Sequence, residues 1–388
     1  MKNLFWLISV LMIGIALGSC RNAELSEPED VSLKNQDTYL LSENTALENA
    51  EKALSAFKKK KTRSACSLAT INRFQTNQTH TRGNSESSNR GFYIINYGNN
   101  EGFAVVSADK RDANVYAFSD DGHLNLSDTL ENSGLSWYLN YAMPEMSDFV
   151  IIPKDTLKPI ELAWHYNETL SEPLLKGFMS QFHQSYPYNR YCNSGFPAYE
   201  SRFVGCGPLA VGTIMGYFKW PQSADGTLFH WDQMSNDRYN DDWFKLFEIL
   251  GRPSYLNSDY SNPEGTSTLS SNYVKAFKNM KYINQKLDNF TTSTISNELK
   301  SNKPVMCRGN HASTSQGHVW IIDGGYVIGN EEPPVVSGDT NKKVFTYYFN
   351  CIWGWGGTSN GYFQYYPTGT SLSSYKGLQI IYGFTPEK

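Results

Sequence analysis

One stretch of the chain places a reactive side chain at the start of a helix. It reads Val204-Gly205-Cys206-Gly207-Pro208-Leu209 and runs on to Ile214-Met215. Small residues flank Cys206, and Pro208 suits the first helical turn, where its missing N–H costs nothing. Leu209, Ile214, Met215 and Phe218 follow at spacings that suit a buried helical face. A thiol so placed meets unpaired backbone N–H groups and the positive end of the helix dipole. Both favour thiolate and predict a lowered pKa. A thiolate nucleophile needs a base, commonly imidazole, and donors for the oxyanion that forms on an attacked carbonyl. His318 is the candidate base. It opens the apolar run Val319-Trp320-Ile321-Ile322 behind a small, polar loop, Ala312 to Gly317, which could open and close over a bound molecule. Further on, Trp353-Gly354-Trp355-Gly356-Gly357 sets two indoles beside glycines that allow close approach. Such a wall keeps water from an imidazole and strengthens a thiolate–imidazolium pair by lowering the local dielectric.

These residues need elements to hold them. Leu47, Ala50, Ala53, Leu54 and Phe57 recur at helical spacing and predict a helix over Thr45–Phe57. Gly91–Asn96 and Gly102–Ser107 are β-rich runs around Tyr97-Gly98-Asn99-Asn100-Glu101, a hairpin signal. Val115–Ser119 predicts another strand and Leu135–Met146 a helix. This front block has a core but no constellation of catalytic groups. Ser147–Glu172, punctuated by Pro153 and Pro159, reads as a connector. In the rear block, helices are expected over Asp241–Leu250, Asn272–Met280 and Ile295–Lys300. Strands are expected at Val305–Cys307, Val319–Ile322, Val344–Cys351 and Leu378–Tyr382. Helices early and strands late favour an α+β fold. The resulting division is 1–19 export signal, 20–44 tether, 45–146 front domain, 147–172 connector and 173–388 rear domain.

The 388 residues carry a net charge of −4, which gives no electrostatic case for nucleic acid. Lys2, an apolar run from Leu4 to Leu17, and then Gly18-Ser19-Cys20 describe an export signal. The run is too short for an ordinary membrane span. Leu17-Gly18-Ser19-Cys20 resembles a bacterial lipobox, which implies lipidation of Cys20 and a membrane-anchored or surface location. Lys58–Lys61 reads as a solvated helix end. Of the six cysteines, Cys66, Cys192, Cys307 and Cys351 have no assigned task. Their spacing shows no metal pattern such as C-x-x-C, and no H-E-x-x-H occurs.

Taken together, the motifs resemble the streptopain family of papain-like cysteine peptidases over most of the chain. Val204-Gly205-Cys206-Gly207-Pro208 looks like its nucleophile helix and Gly317-His318-Val319-Trp320-Ile321-Ile322-Asp323-Gly324 like its histidine strand. Trp353-Gly354-Trp355-Gly356-Gly357 with Asn360-Gly361-Tyr362-Phe363 looks like its tryptophan loop. Phe182-His183-Gln184-Ser185-Tyr186-Pro187 looks like its oxyanion segment, with Phe182 where the family usually has Trp. The resemblance implies a papain-like domain, a helical part plus an antiparallel sheet part, behind a small α+β propeptide carrying Gly91–Asn96 and Gly102–Asp109. It implies Cys206 as nucleophile, His318 as base, Gln184 as oxyanion donor, and Trp353 and Trp355 as supports. It implies no metal or organic cofactor. The partners it implies are protein or peptide substrates and the chain's own propeptide.

The family normally has Asn directly before the first Trp of the loop, where it helps orient the histidine. Here Ile352 stands there. Asn350, two residues back and on the same side of an extended strand, is the candidate substitute. Ile352 keeps open a catalytically weak or inactive binding protein or adhesin on the same fold. A thiol hydrolase acting on cell-wall peptide is the third reading.

Overall fold

The computed structural model describes residues 39–57, 69–76, 90–112, 114–130, 133–151, 166–192, 203–260, 266–310, 317–332, 342–365 and 377–388. The export segment, the lipidation expected at Cys20, Lys58–Lys61, Cys66 and the loop 312–316 lie outside the described residues, as does most of the connector.

Helix α1 (Glu43–Phe57) buries Ala46, Ala50, Ala53 and Leu54, spaced three or four apart on one face. The Ser42 hydroxyl accepts the Thr45 N–H at 3.2 Å and so satisfies an otherwise unpaired donor. An antiparallel meander follows: β1 (Thr70–Thr76), β2 (Arg90–Asn96), β3 (Phe103–Ser107) and β4 (Val115–Ser119). Side chains alternate across β2. Tyr93 and Ile95 face α1, while Phe92 and Ile94 enter the core on the other side. Helix α2 (Ser133–Trp137), a π-helical turn over Tyr138–Ala142, and α3 (Met143–Ile151) close that second side.

Two elements reach into the expected connector. Helix α3 runs on to Ile151, and Tyr166–Ser171 forms strand β5. The rear block then gives α4 (Cys206–Phe218), α5 (Asp241–Gly251), α6 (Ser270–Asn279), β6 (Lys286–Asn289), α7 (Thr292–Lys300) and β7 (Val305–Asn310). Strands β8 (Gly317–Glu332), β9 (Lys342–Ile352), β10 (Gly361–Tyr365) and β11 (Gln379–Tyr382) follow, and a short helix at Trp231–Met234 and two two-stranded ribbons lie among them.

Both blocks share one eleven-stranded sheet in the order β1-β2-β3-β4-β10-β9-β8-β7-β11-β6, with β5 added along β8. The expected pair of separate domains is therefore joined by backbone. Strands β4 and β10 meet at Phe118↔Tyr362 and Ala117↔Phe363. On one face of the rear sheet α4, α5 and α6 pack against Val319, Ile321, Ile352 and Ile381. On the other face lie Trp320, Ile322, Cys351, Trp353 and Phe363, covered by α2, the π turn and α3 from the front block. Among the described residues no helix is long and apolar enough to cross a membrane.

Candidate active site

Cys206 is the first residue of α4. Gly205 before it adopts φ +92, a left-handed value that L side chains avoid, and a Cβ there would press to 2.8 Å on Thr266. This turn presents Cys206 to the free N–H groups of the helix start. The N–H groups of Val319, Gly207 and Cys206 itself all favour its thiolate, but burial outweighs them and pushes the thiol pKa up. The lowering expected from the helix start is present in those N–H groups, and burial opposes it. Cys206 keeps some exposed surface, yet its surroundings are too dry for local dipoles to prevail. Its neighbours include Leu209, Val319, Ile321, Ile352 and Trp353. The other described cysteines, Cys192, Cys307 and Cys351, are buried free thiols, and burial lifts Cys192 to about 12.

His318 sits one residue into β8, opposite Gly309 of β7. It is 5 % exposed and its ring lies nearly parallel to Trp320, with centroids 6.3 Å apart. Its Nε2 is 2.9 Å from the carbonyl oxygen of Trp353, so Nε2–H donates and Nδ1 is left as the basic nitrogen. Burial drives the imidazole pKa down to about 4, against the raising effect of that carbonyl. Among the described residues no hydrogen bond joins Cys206 to His318. Burial thus moves the two groups in opposite directions, the Cys206 thiol up and the His318 imidazole down.

The orienting bond expected from a side-chain amide comes from the backbone instead. Asn350 donates its amide to Asp323 at 2.7 Å, in the bulge that interrupts the β8–β9 pairing. Asp323 is fully buried and also accepts the Leu175 N–H at 2.9 Å; burial raises its carboxyl to about 6, against these hydrogen bonds. Asn350 therefore serves Asp323. Ile352 pairs with Ile321 and faces the α4 side of the sheet, whereas His318 and Trp320 face the other side.

The oxyanion segment is held from two directions. The Gln184 carbonyl accepts the Val204 N–H at 2.8 Å, which ties it to the residues just before Cys206. Phe182 accepts the Gly356 N–H at 3.1 Å, and His183 bridges Trp355 through the backbone. Burial first, and the nearby Arg238 charge second, lower the His183 pKa. In the tryptophan loop Gly354, Gly356 and Gly357 all have φ between +80 and +93, so the loop needs those glycines. Trp353 packs on Trp320 at 5.4 Å and Trp355 on Phe203 at 5.4 Å. The four motifs thus meet, with Cys206, Gln184 and the tryptophan loop drawn together by backbone hydrogen bonds.

Front-block residues reach this site as well. A Cβ on Gly134 of α2 would come to 2.4 Å from His318 Cδ2 and 2.9 Å from Trp353. Trp137, one turn on, stacks on Trp320 at 5.9 Å. The sequence reading missed both. The signal it held was a glycine three positions before a tryptophan at a helix start. Helix α2 therefore covers His318 together with Trp320 and Trp353.

Comparisons with known proteins agree with this layout. Residues 38–146 match the Spi protease inhibitor model, and residues 182–248 and 245–363 match the Peptidase C10 family model. The thiol protease/hemagglutinin PrtT of Porphyromonas gingivalis is 26% identical over 317 residues, covering 70% of this chain and 33% of that protein. The chain thus spans about a third of the relative's length. A solved fragment of Prevotella intermedia prointerpain A superposes with a TM-score of 0.53 at 18% identity, covering 82% of this chain and 100% of the fragment. That likeness is one of fold.

Proposed function

The chain is a cysteine peptidase of the Peptidase C10 (streptopain) family with a Spi-type inhibitor block ahead of its peptidase block, and we propose that it is an exported, lipid-anchored endopeptidase made as a zymogen. In this reading Cys206 attacks the peptide carbonyl as thiolate. His318 takes the thiol proton and delivers it to the leaving amine. Gln184 and the Cys206 N–H hold the oxyanion. Water then hydrolyses the acyl-enzyme. Lipidation at Cys20 would hold the protein at a membrane or cell surface.

The observation that carries the zymogen reading is the seat of α2 on His318. With Gly134 against the imidazole and Trp137 on Trp320, the base is covered by the front block, and burial lowers its pKa. Release of the front block would rehydrate the imidazole and restore a pKa near 6.5, at which a thiolate–imidazolium pair can form. The case for an inactive binding protein rested on Ile352. The Trp353 carbonyl supports the active reading, because it gives His318 an acceptor without an asparagine.

The test is peptide mapping of the purified exported protein incubated with casein, alongside Cys206→Ala. The parent should shed its front block and cut casein, and iodoacetamide should label Cys206. Cys206→Ala should stay at full length and be inert. Labelling of Cys192, Cys307 or Cys351 instead would overturn the assignment. A labelled protein that cuts cell-wall peptide but not casein would move the reading to the third alternative. Mass spectrometry of the membrane fraction should find a diacylglyceryl-type mass at Cys20, and an unmodified Cys20 would remove the anchor.

A further inference from the structure

We propose that Asn360 is a positioning residue that locks the histidine's acceptor to the oxyanion segment; this rests on the cysteine peptidase reading. The sequence places Asn360 in the tryptophan-loop motif and gives it no task. In the structure its side chain uses both ends. Oδ1 accepts the Trp353 N–H at 3.1 Å, and Nδ2 donates to the Ser180 carbonyl at 2.7 Å. Its own N–H donates to the Gly357 carbonyl at 3.1 Å and closes the loop.

Each end leads to one half of the chemistry. Trp353 holds His318 through its carbonyl at 2.9 Å. It is followed by Gly354 at φ +80, a flexible joint that would let the carbonyl swing unless the Trp353 amide is pinned. Ser180 lies in the 3-10 turn Gly177–Gln181, which leads directly into Phe182 and Gln184. An amide carries an acceptor and a donor on separate atoms, so it can accept from one backbone and donate to another in this way. One other backbone link joins the loop to this segment, the His183–Trp355 bridge, to which the Gly356 N–H to Phe182 carbonyl hydrogen bond belongs. It does not involve Trp353. Asn360 is thus the side chain that makes the imidazole's acceptor and the oxyanion strand move as one body.

The two bonds can be separated. Asn360→Ala removes both. Asn360→Asp keeps the acceptor for the Trp353 N–H but sets a carboxylate oxygen against the Ser180 carbonyl. The full-length protein is incubated until its activity is constant, and its active sites are titrated by labelling. Then kcat, KM and the pH profile of Cys206 alkylation by iodoacetamide are measured per titrated site. Asn360→Ala should lower kcat by about 10- to 100-fold, the range of outer positioning partners, with KM changed less than about threefold. Its alkylation profile should shift towards that of an unpaired thiol. Asn360→Asp should keep the parental alkylation profile and still lose kcat, because only the oxyanion side is loosened. Parental kcat and profile per site in both variants, with only a lower melting temperature, would show a merely structural residue and overturn the proposal. A parent labelled at Cys206 that cuts no peptide would sink the peptidase reading instead, while the alkylation profiles still decide whether Asn360 orients His318.

Discussion

Cys206 and His318 are placed by different means. Cys206 owes its position to one continuous stretch: Gly205 turns the chain, α4 starts, and its buried face docks on α5. His318 is placed by a strand end, a carbonyl 35 residues away, a stacked Trp320 and a glycine from the front block. The thiol side is local and self-standing. The imidazole side is assembled from distant segments, so it can be disassembled. An inhibitor that works by contact gains most by acting there, and α2 sits there.

This contrast is broken most directly at Trp137. Trp137→Ala removes a buried indole stacked on Trp320, a loss of about 3–5 kcal/mol for such truncations in a core. In the full-length chain the rate of Cys206 alkylation should rise by at least about two orders of magnitude, since 1.4 kcal/mol is about tenfold. An unchanged rate would mean that α2 does not guard the site.

The second effect is on pH. The His318 pKa is about 4 under cover and about 6.5 once exposed. The uncovered form binds more protons throughout that window, so acidification from about 6.5 to about 4 weakens the cover by up to about 3 kcal/mol. Asp323 and Asp112 titrate in the opposite sense with respect to unfolding, but their hydrogen-bond partners, Asn350, Leu174 and Leu175 for Asp323 and Asn114, Tyr116 and Ser147 for Asp112, each lie on one side of the seam, so both drop out of the covering equilibrium to first order. Hydrogen exchange in full-length Cys206→Ala, corrected for its intrinsic pH dependence, should show protection of residues 133–137 falling across that window. Protection that is flat or rises on acidification would contradict the dry-histidine account.

Smaller still is Gly134→Ala. Its Cβ would collide with His318 and Trp353, and overpacking of this kind costs about 1–3 kcal/mol. Processing of the full-length chain should speed up by about tenfold or more, with kcat of the processed form unchanged. A slower release would show that the extra methyl tightens the seat.

Ile352→Asn should matter least to catalysis. Ile352 faces the α4 side of the sheet, and His318 already has its acceptor. Activity should stay within about threefold, while a buried amide without partners lowers stability by about 1–3 kcal/mol. A marked gain in kcat/KM would show that His318 lacks an orienting group after all.

The same contrast governs what could be read in the sequence. The thiol side was legible because Gly-Cys-Gly-Pro and the apolar spacing behind it are local signals. So were α1, the β2–β3 hairpin and α5. Strand β5 was hidden because Tyr-Asn-Glu-Thr-Leu-Ser has no apolar run; its pairing with β8 and the Glu168–Lys300 ion pair at 2.7 Å hold it. The polar β6 was missed for the same reason. The carbonyl that holds His318 was out of reach, since every residue has a carbonyl and no side-chain pattern marks the one used. The amide of Asn350 was visible but could not be seen to serve Asp323. The joining of two blocks into one sheet rests on two backbone pairs, and backbone carries no composition signal.

That seam has a consequence for the released enzyme. While the front block is present, β10 is an interior strand, flanked by β4 and β9. Once the block leaves, the Tyr362–Phe363 backbone becomes a bare rim with unspent donors and acceptors, a template on which any extended chain can lie down. Removal of the block, as proposed for activation, would add this edge to those that β1 and β6 already present at the two ends of the sheet. Processed molecules should self-associate at concentrations where the full-length form sediments as a monomer.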